Sequence, residues 1–333
     1  MDLSVIIPVY RSQTTLRPLT ERLRHVLDAA DLEYEIIFVN DDSPDDSWSV
    51  LSELHREHAD RVKAIRLTRN FGQHNAIMCG FHHGRGRLML TMDDDLQHPP
   101  EEIPKLLQAI EREHLDVVYG RYDHKRHMPW RNFGSWALNF VYKRVFQLSS
   151  DFTAFRLIRR EIVEAVLRYQ LNFTFIDGLL AWNTNKVGSV LVAHAARAHG
   201  KSGYSLRKLL LLSLNLLTNF SLFPLQAATI IGIVASACGL IAGIWYLALA
   251  LLGKITYPGY ASTITAILFL GGAQLLALGV IGEYVGRLHL NMNRKPQYLE
   301  REVLGSSLER GLGEAAAAAR FAPAAPQHRI DAE

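Results

Sequence analysis

The sequence predicts an α/β domain built on a mostly parallel sheet, followed by an interfacial helix and two membrane-spanning helices. Two observations carry this. Apolar, β-rich segments alternate with helical spacing through the amino-terminal third, and charge almost vanishes between Leu209 and Glu283. Of the 333 residues, 49% are hydrophobic and 21% charged, with 36 Lys and Arg against 33 Asp and Glu. That apolar fraction, with a net charge of +3, excludes wholesale disorder. With 23 Gly, 12 Pro and 2 Cys, collagen-like and disulfide-scaffold classes are excluded too. A mean hydropathy of +0.03 in a chain this charged means that the apolar residues are unevenly distributed.

Leu3–Val9 is a continuous apolar run, the pattern of a strand covered on both faces. Thr14–Ala30 sets Leu16, Leu19, Leu23, Val26 and Leu27 at helical spacing. Tyr34–Val39 is a second strand and Asp45–His58 a second helix. Val62–Leu67, Gly72–His83, Arg87–Met92, Glu101–Glu113 and Asp116–Tyr119 continue the alternation to a fifth strand. In parallel sheets ligands sit beyond the carboxyl ends of the strands, so polar residues there are the first candidates.

Farther along, Ala227–Leu252 and Ile255–Gly282 each exceed the roughly 20 apolar residues needed to cross a bilayer. The turn between them holds Lys254 as its one charge. Arg197, Lys201, Arg207 and Lys208 precede the first span, and Arg287, Arg294, Lys295 and Arg301 follow the second. The positive-inside rule then expects both termini in the cytoplasm of a multi-pass membrane protein, with the turn facing outward. Tyr204–Phe223 is polar at its start and interrupted, which reads as a helix lying in the interface; the alternative, a third span, would move one terminus outside, against the charge pattern. Pro8 interrupts the first apolar run and no basic region precedes it, so no signal peptide is expected. Cys79 falls in the soluble part and Cys238 in the first span, an unsuitable pair for a disulfide. The expected layout is a cytosolic domain over 1–203, the interfacial helix over 204–224 and two spans over 225–286. A cytosolic segment over 287–304 and a disordered tail over 305–333 complete it.

Two strand ends are rich in carboxylates. One is Asn40-Asp41-Asp42-Ser43-Pro44-Asp45-Asp46, the other Asp93-Asp94-Asp95-Leu96-Gln97-His98. Adjacent carboxylates repel one another, and a divalent cation with oxygen ligands, Mg²⁺ or Mn²⁺, compensates them. Helix capping accounts for one Asp at each end, Asp45 or Asp95, and leaves the rest unexplained. His82-His83, His124 and His127 lack the spacing of a metal site and read as solvated. The basic stretch Arg121, His124, Lys125, Arg126 and Arg131 reads as a solvated loop or a guide for phosphates. No basic motif interleaved with aromatics occurs, so nucleic acid is not an expected partner.

Val5-Ile6-Ile7-Pro8-Val9-Tyr10, Val39-Asn40-Asp41-Asp42-Ser43 and Asp93-Asp94-Asp95-Leu96-Gln97 resemble the family-2 nucleotide-sugar glycosyltransferases of GT-A (Rossmann-like) fold. Arg69-Asn70-Phe71-Gly72-Gln73-His74-Asn75-Ala76-Ile77-Met78, the Arg197–Ser205 segment and Gly282-Glu283-Tyr284-Val285-Gly286-Arg287 extend the match to all but the tail. Together they resemble the polyprenyl-phosphate branch, which includes undecaprenyl-phosphate aminoarabinose and glucose transferases and dolichyl-phosphate mannose synthase. The resemblance implies an inverting, metal-dependent transfer from a nucleotide sugar, expected to be UDP-linked, to a polyprenyl phosphate. It also implies roles. Pro8, Tyr10 and Asp41 would line the nucleoside pocket, with Asp93 beside ribose and phosphates. Asp95 and Gln97 would hold Mg²⁺ or Mn²⁺, Arg121 and Arg197 would face phosphates, and Asp151 would lie near sugar and acceptor, with Arg156 close by.

Some residues depart from the family pattern. Asp42 stands where Gly is usual, Arg11-Ser12 where Asn-Glu is common, and Asp177 and Asn183-Thr184-Asn185 are atypical, which points to another sugar or acceptor. Gly232, Gly239 and Gly243 form small-residue faces in the first span, and a homo-oligomer, plausibly a tetramer as in similar enzymes, is expected. The rival functions are a processive polysaccharide synthase, against which two spans count, and a non-catalytic membrane scaffold, against which the intact Asp93, Asp95, Gln97 and Arg197 count.

Overall fold

The structure is a computed structural model that describes residues 1–122, 153–169, 174–193, 223–252, 259–293 and 295–305. The chain divides into two compact units, Met1–Pro104 with Tyr298 onward, and Lys105–Gln297.

In the first unit, strands β1 (Leu3–Val9), β2 (Tyr34–Asn40), β3 (Val62–Leu67) and β4 (Leu88–Thr91) alternate with helices α1 (Leu16–Ala29), α2 (Ser47–Glu57) and α3 (Gln73–His83). Their order is β4-β1-β2-β3, with every neighbouring pair parallel. β1 and β2 pair from Leu3 opposite Tyr34 to Val9 opposite Asn40, and every residue of both is buried. Parallel central strands covered on both faces demand such unbroken apolar runs. α3 crosses β1 closely at Gly80, where a Cβ would stand 2.3 Å from Cγ2 of Ile6. The chain returns to this unit as β8 (Glu300–Leu304), antiparallel to β3, with Ala64 opposite Leu304.

Glu35 places a carboxylate within this core. Glu35, 2% exposed, meets Lys63 Nζ at 2.7 Å and accepts from Ser4 Oγ at 2.7 Å and the Arg85 backbone N–H at 2.6 Å. Burial pushes its carboxyl up, but Lys63, Ser4 and the Arg85 amide together bring it below the ordinary glutamate value of 4.5. The unfolded chain then binds the extra proton as pH falls below about 4.5, so this stabilisation is full above that value and lost through the lower folded pKa. Urea midpoints between about pH 3 and 5 are expected to fall less steeply with acid in Glu35→Gln than in the parent chain.

The second unit holds β5 (Val117–Tyr122), flanked by antiparallel β6 (Arg156–Arg159) and parallel β7 (Val187–Val192). Helix α4 (Ile103–Arg112), entered through a 3₁₀ turn at Pro100–Glu102, leads into it. Helices α5 (Arg160–Leu167) and α6 (Ile176–Asn183) follow, and at their centre Arg156 donates to Asp177 Oδ1, which also accepts from Tyr119 Oη at 3.0 Å. Arg156 is 2% and Asp177 8% exposed, so this is a buried ion pair with a third polar partner.

Two long helices complete the unit, α7 (Phe223–Leu251) and α8 (Tyr260–Met292), and they touch each other. Leu225–Trp245, at hydropathy 2.2, and Phe269–His289, at 1.3, are long and apolar enough to cross a membrane. Ile230, Leu240, Trp245, Leu275 and Leu278 are each more than 60% exposed, the surface of a membrane protein. α8 runs past Gly282, where the apolar run ends, and its next turn carries the Glu283–Arg287 pair at 2.6 Å. The interfacial stretch up to residue 222, the basic loop 124–131, Asp151, Arg197 and the tail from 306 lie outside the described residues.

Candidate functional site

The carboxyl ends of β1, β2 and β4 are laced together within the first unit. After β1, the Arg11 N–H donates to Ser43 Oγ at 3.2 Å and the Ser12 N–H to Ser47 Oγ at 3.1 Å. The Gln13 N–H donates to Asp45 Oδ2 at 3.3 Å, and the Asp46 N–H answers to Gln13 Oε1 at 2.9 Å. Side chains of the second loop thus hold the backbone of the first. Arg11, Asp42 and Leu96, one in each loop, have φ of 59°, 52° and 63°. Non-glycine residues in the left-handed region cost energy and concentrate at functional sites. Asp42, where glycine is usual, does take up a glycine-like backbone.

Asp41 is 3% exposed, and both its oxygens are engaged. Oδ1 accepts from the Phe71 N–H at 2.6 Å and Oδ2 from the Gly72 N–H at 2.8 Å. Burial pushes its carboxyl up, the two amides oppose this, and the neighbouring Asp42 charge adds to the rise. The loop before α3 is therefore pinned to the end of β2. Gly72 makes the geometry possible with φ 89° and ψ 154°, a region that is essentially glycine-only. Gly72→Ala is expected to cost about 1–3 kcal/mol, although nothing lies within 4 Å of the new Cβ. The denaturant midpoint of the variant measures this.

The third loop follows β4. The Asp93 N–H donates to His98 Nδ1 at 3.1 Å, which places the proton of this buried imidazole on Nε2. Asp93 Oδ1 accepts from Gln73 Nε2 at 2.6 Å, joining the turn to the first residue of α3. Asp94 Oδ2 accepts the Tyr10 N–H at 3.1 Å, joining it to β1. Asp95 accepts the Gln97 N–H on Oδ1 at 3.1 Å and Gln97 Nε2 on Oδ2 at 2.5 Å. The Asp94 carboxyl is pushed up to about 6, chiefly by burial, with the Asp95 charge adding, against hydrogen bonds from Ser12 and the Tyr10 amide.

Of the residues singled out in the sequence, Pro8, Tyr10, Asp41, Asp93, Asp95 and Gln97 all lie at these strand ends. Pro8 is buried in β1 and Tyr10 is 44% exposed. Arg121 is an exposed residue of β5 in the second unit. Asp177 and Arg156, flagged as atypical and as close to the sugar, spend their charges on each other. Sequence reasoning missed Asp94, Gln73 and His98 as holders of the turn. The run Asp93-Asp94-Asp95 was the available signal, but long-range partners such as Tyr10 are invisible in a linear pattern. The donor set at the turn is all oxygen, and the charge of Asp95 raises the pKa of its neighbour. A hard divalent cation such as Mg²⁺ or Mn²⁺ would fit such donors, and Asp95 with the side-chain oxygen of Gln97 would hold it.

The model of Glycosyl transferase family 2 matches residues 4–167. Over 306 residues, 91% of this chain and 94% of the other, the sequence is 37% identical to an undecaprenyl-phosphate 4-deoxy-4-formamido-L-arabinose transferase of Proteus mirabilis. The chain belongs to glycosyl transferase family 2. This glycosyltransferase is also 36% identical, over 307 residues, to the protein of the same name from Yersinia enterocolitica, covering 91% of this chain and 94% of that one. Its mostly parallel α/β sheet is of the GT-A type. Among solved structures it overlaps glucosyl-3-phosphoglycerate synthase from Mycobacterium tuberculosis in complex with Mn²⁺, UDP-glucose and phosphoglyceric acid. The TM-score is 0.48 at 15% identity, over 66% of this chain and 78% of that one. S. aureus TarS 1–349 in complex with UDP-GlcNAc overlaps at a TM-score of 0.43 and 17% identity, over 66% of each chain.

Proposed function

We propose that this glycosyltransferase moves a sugar, with inversion, from a UDP-linked donor to undecaprenyl phosphate at the cytoplasmic face of a bacterial inner membrane. The observation that carries the reading is the carboxylate turn Asp93–Gln97, fastened to β1 and α3 beside Asp41, in a chain aligned over 91% of its length with an undecaprenyl-phosphate sugar transferase. Residues 1–203 are the transferase domain, 204–224 the interfacial helix and 225–286 the membrane pair. Residues 287–304 return to the cytosolic side, 305–333 form the tail, and the chain assembles as a homo-oligomer, plausibly a tetramer.

Pro8, Tyr10 and Asp41 receive the nucleoside, and Asp93 lies beside the ribose and phosphates. Asp95 and Gln97 hold a divalent cation, Mg²⁺ or Mn²⁺, which supplies charge neutralisation to the diphosphate when bound. Arg121 and Arg197 face phosphate groups. The bond from the anomeric carbon to the diphosphate oxygen breaks as a lipid phosphate oxygen bonds to the opposite face of that carbon. Inversion follows from a single such displacement. A lipid phosphate is already anionic near neutral pH, so no strong base is needed. Asp151 then orients the sugar or acceptor. The membrane pair supports the reading because the acceptor headgroup is presented at a bilayer surface.

Membrane fractions containing the chain, given undecaprenyl phosphate and a panel of UDP-sugars that includes the 4-deoxy-4-formamido-L-arabinose form, test the proposal. The expected result is one lipid-phosphate sugar, identified by mass, that requires added Mg²⁺ or Mn²⁺. Polymer growth would favour a processive synthase, and inertness with every donor would overturn the reading.

A further inference from the structure

Cys79 and His83 lie one turn apart on α3, on the same face, and β8 lays Glu300 against them from 217 residues beyond His83. Cys79 Sγ is 3.5 Å and His83 Nε2 2.9 Å from Glu300 Oε1, and the three donor atoms lie within 4.8 Å of one another. We propose that Cys79, His83 and Glu300 bind a borderline-soft divalent cation of the zinc type, which clamps β8 to α3.

The dimensions suit the ion. Tetrahedral zinc holds sulfur at about 2.3 Å and nitrogen or oxygen at about 2.0–2.1 Å, so its donors stand about 3.3–3.6 Å apart. The His83–Glu300 separation opens from 2.9 Å and the Cys79–His83 separation, within 4.8 Å, adjusts to that spacing, both by side-chain rotation. His83 and Glu300 are 25% and 31% exposed, so the fourth position opens to solvent and takes a water. Binding breaks the Cys79 S–H bond and forms a sulfur–metal bond, and the proton leaves to solvent. Thiolate and imidazole select against Mg²⁺, so this site and the all-oxygen turn at Asp93–Gln97 take different metals.

The surrounding contacts hold the donors in place. Tyr298 Oη and His82 Nδ1 are 2.7 Å apart, and their rings meet edge to face with centroids at 5.9 Å. Arg301 donates to the Thr68 carbonyl at 2.9 Å. Contacts on either side of Glu300 therefore fix β8 in register. α3 carries Cys79 and His83 in its second half and Gln73, bonded to Asp93, at its start. Metal occupancy stiffens the helix that holds the carboxylate turn. The metal site itself does not depend on the proposed transfer reaction.

The test uses the full chain in detergent, stripped with chelator and then titrated with Co²⁺ in excess Mg²⁺. The expected result is one equivalent bound, with thiolate-to-cobalt charge-transfer absorption that Zn²⁺ displaces. The band persists in Cys238→Ser and disappears in Cys79→Ser. His83→Gln and Glu300→Gln weaken Co²⁺ affinity by more than about tenfold. Zn²⁺ also slows hydrogen exchange across residues 300–304. Absence of the band in the parent chain at saturating Co²⁺ overturns the proposal, as does its persistence in Cys79→Ser. If Cys79→Ser fails to fold, unchanged affinity in both His83→Gln and Glu300→Gln overturns it instead.

Discussion

Asp95→Asn is expected to lower sugar transfer by about a hundred- to a thousandfold, the usual effect of removing one group that stabilises charge as it develops. The substitution keeps the shape of the turn, because an Asn carbonyl oxygen still accepts the Gln97 N–H that Asp95 now receives at 3.1 Å, and a flip of the Gln97 amide lets its Oε1 accept from the new NH2. What it removes is the negative charge that, on the proposed function, would draw a cation to the leaving diphosphate. The loss therefore falls on turnover and on the Mg²⁺ or Mn²⁺ requirement, while the melting temperature stays close to that of the parent. Asp94→Asn is the matched control. Asp94 accepts the Tyr10 N–H at 3.1 Å, which an Asn oxygen also does, so its loss of turnover stays below about tenfold. Equal losses in the two variants would show that the turn acts as a mere brace and would remove Asp95 from the chemistry.

The largest stability effect is expected at Arg156. Arg156→Met leaves Asp177 charged and buried beside Tyr119, and breaking a buried pair in this way costs about 3–5 kcal/mol. Replacing both partners, as Arg156→Met with Asp177→Leu, removes the uncompensated charge and recovers much of that loss. Denaturant unfolding of the two variants in detergent measures the difference. If the double variant is no more stable than the single one, the pair is held for packing rather than for charge.

The amino-terminal alternation was legible because its strands are buried on both faces. Leu3–Val9 has no polar interruption except Ser4, and Ser4 serves the buried Glu35. β1 and β3 were read to the residue, and the other amino-terminal elements differ at their ends by a few residues, where boundaries are set by local hydrogen bonds rather than by pattern. The second unit was less legible. β6 is only four residues long and begins with Arg156, a charged residue in a core position that no apolar pattern reveals. β7 has one buried residue in six and contains Gly188 and Ser189, so it lacks the run that marks a covered strand. β8 reads Glu-Arg-Glu-Val-Leu, which resembles a solvated segment until β3 supplies its partner. At the carboxylate turn, the acidic composition was visible. The assignment of Asp94 to Tyr10, Asp93 to Gln73 and Asp41 to the Phe71–Gly72 amides was not, since each joins positions 20 to 84 residues apart. His83 shows the same limit, for Glu300 reaches it from β8, 217 residues away.

The return of Glu300–Leu304 to the side of β3 has a consequence for biogenesis. A nascent chain emerging from the ribosome can pair its first four strands early, but the outer edge of β3 stays bare until both hydrophobic helices have been translated. An uncovered strand edge invites pairing with other chains. Completion of the catalytic half is thereby tied to delivery of its anchor, and a polypeptide cut short before Tyr298 would be left adhesive to its neighbours.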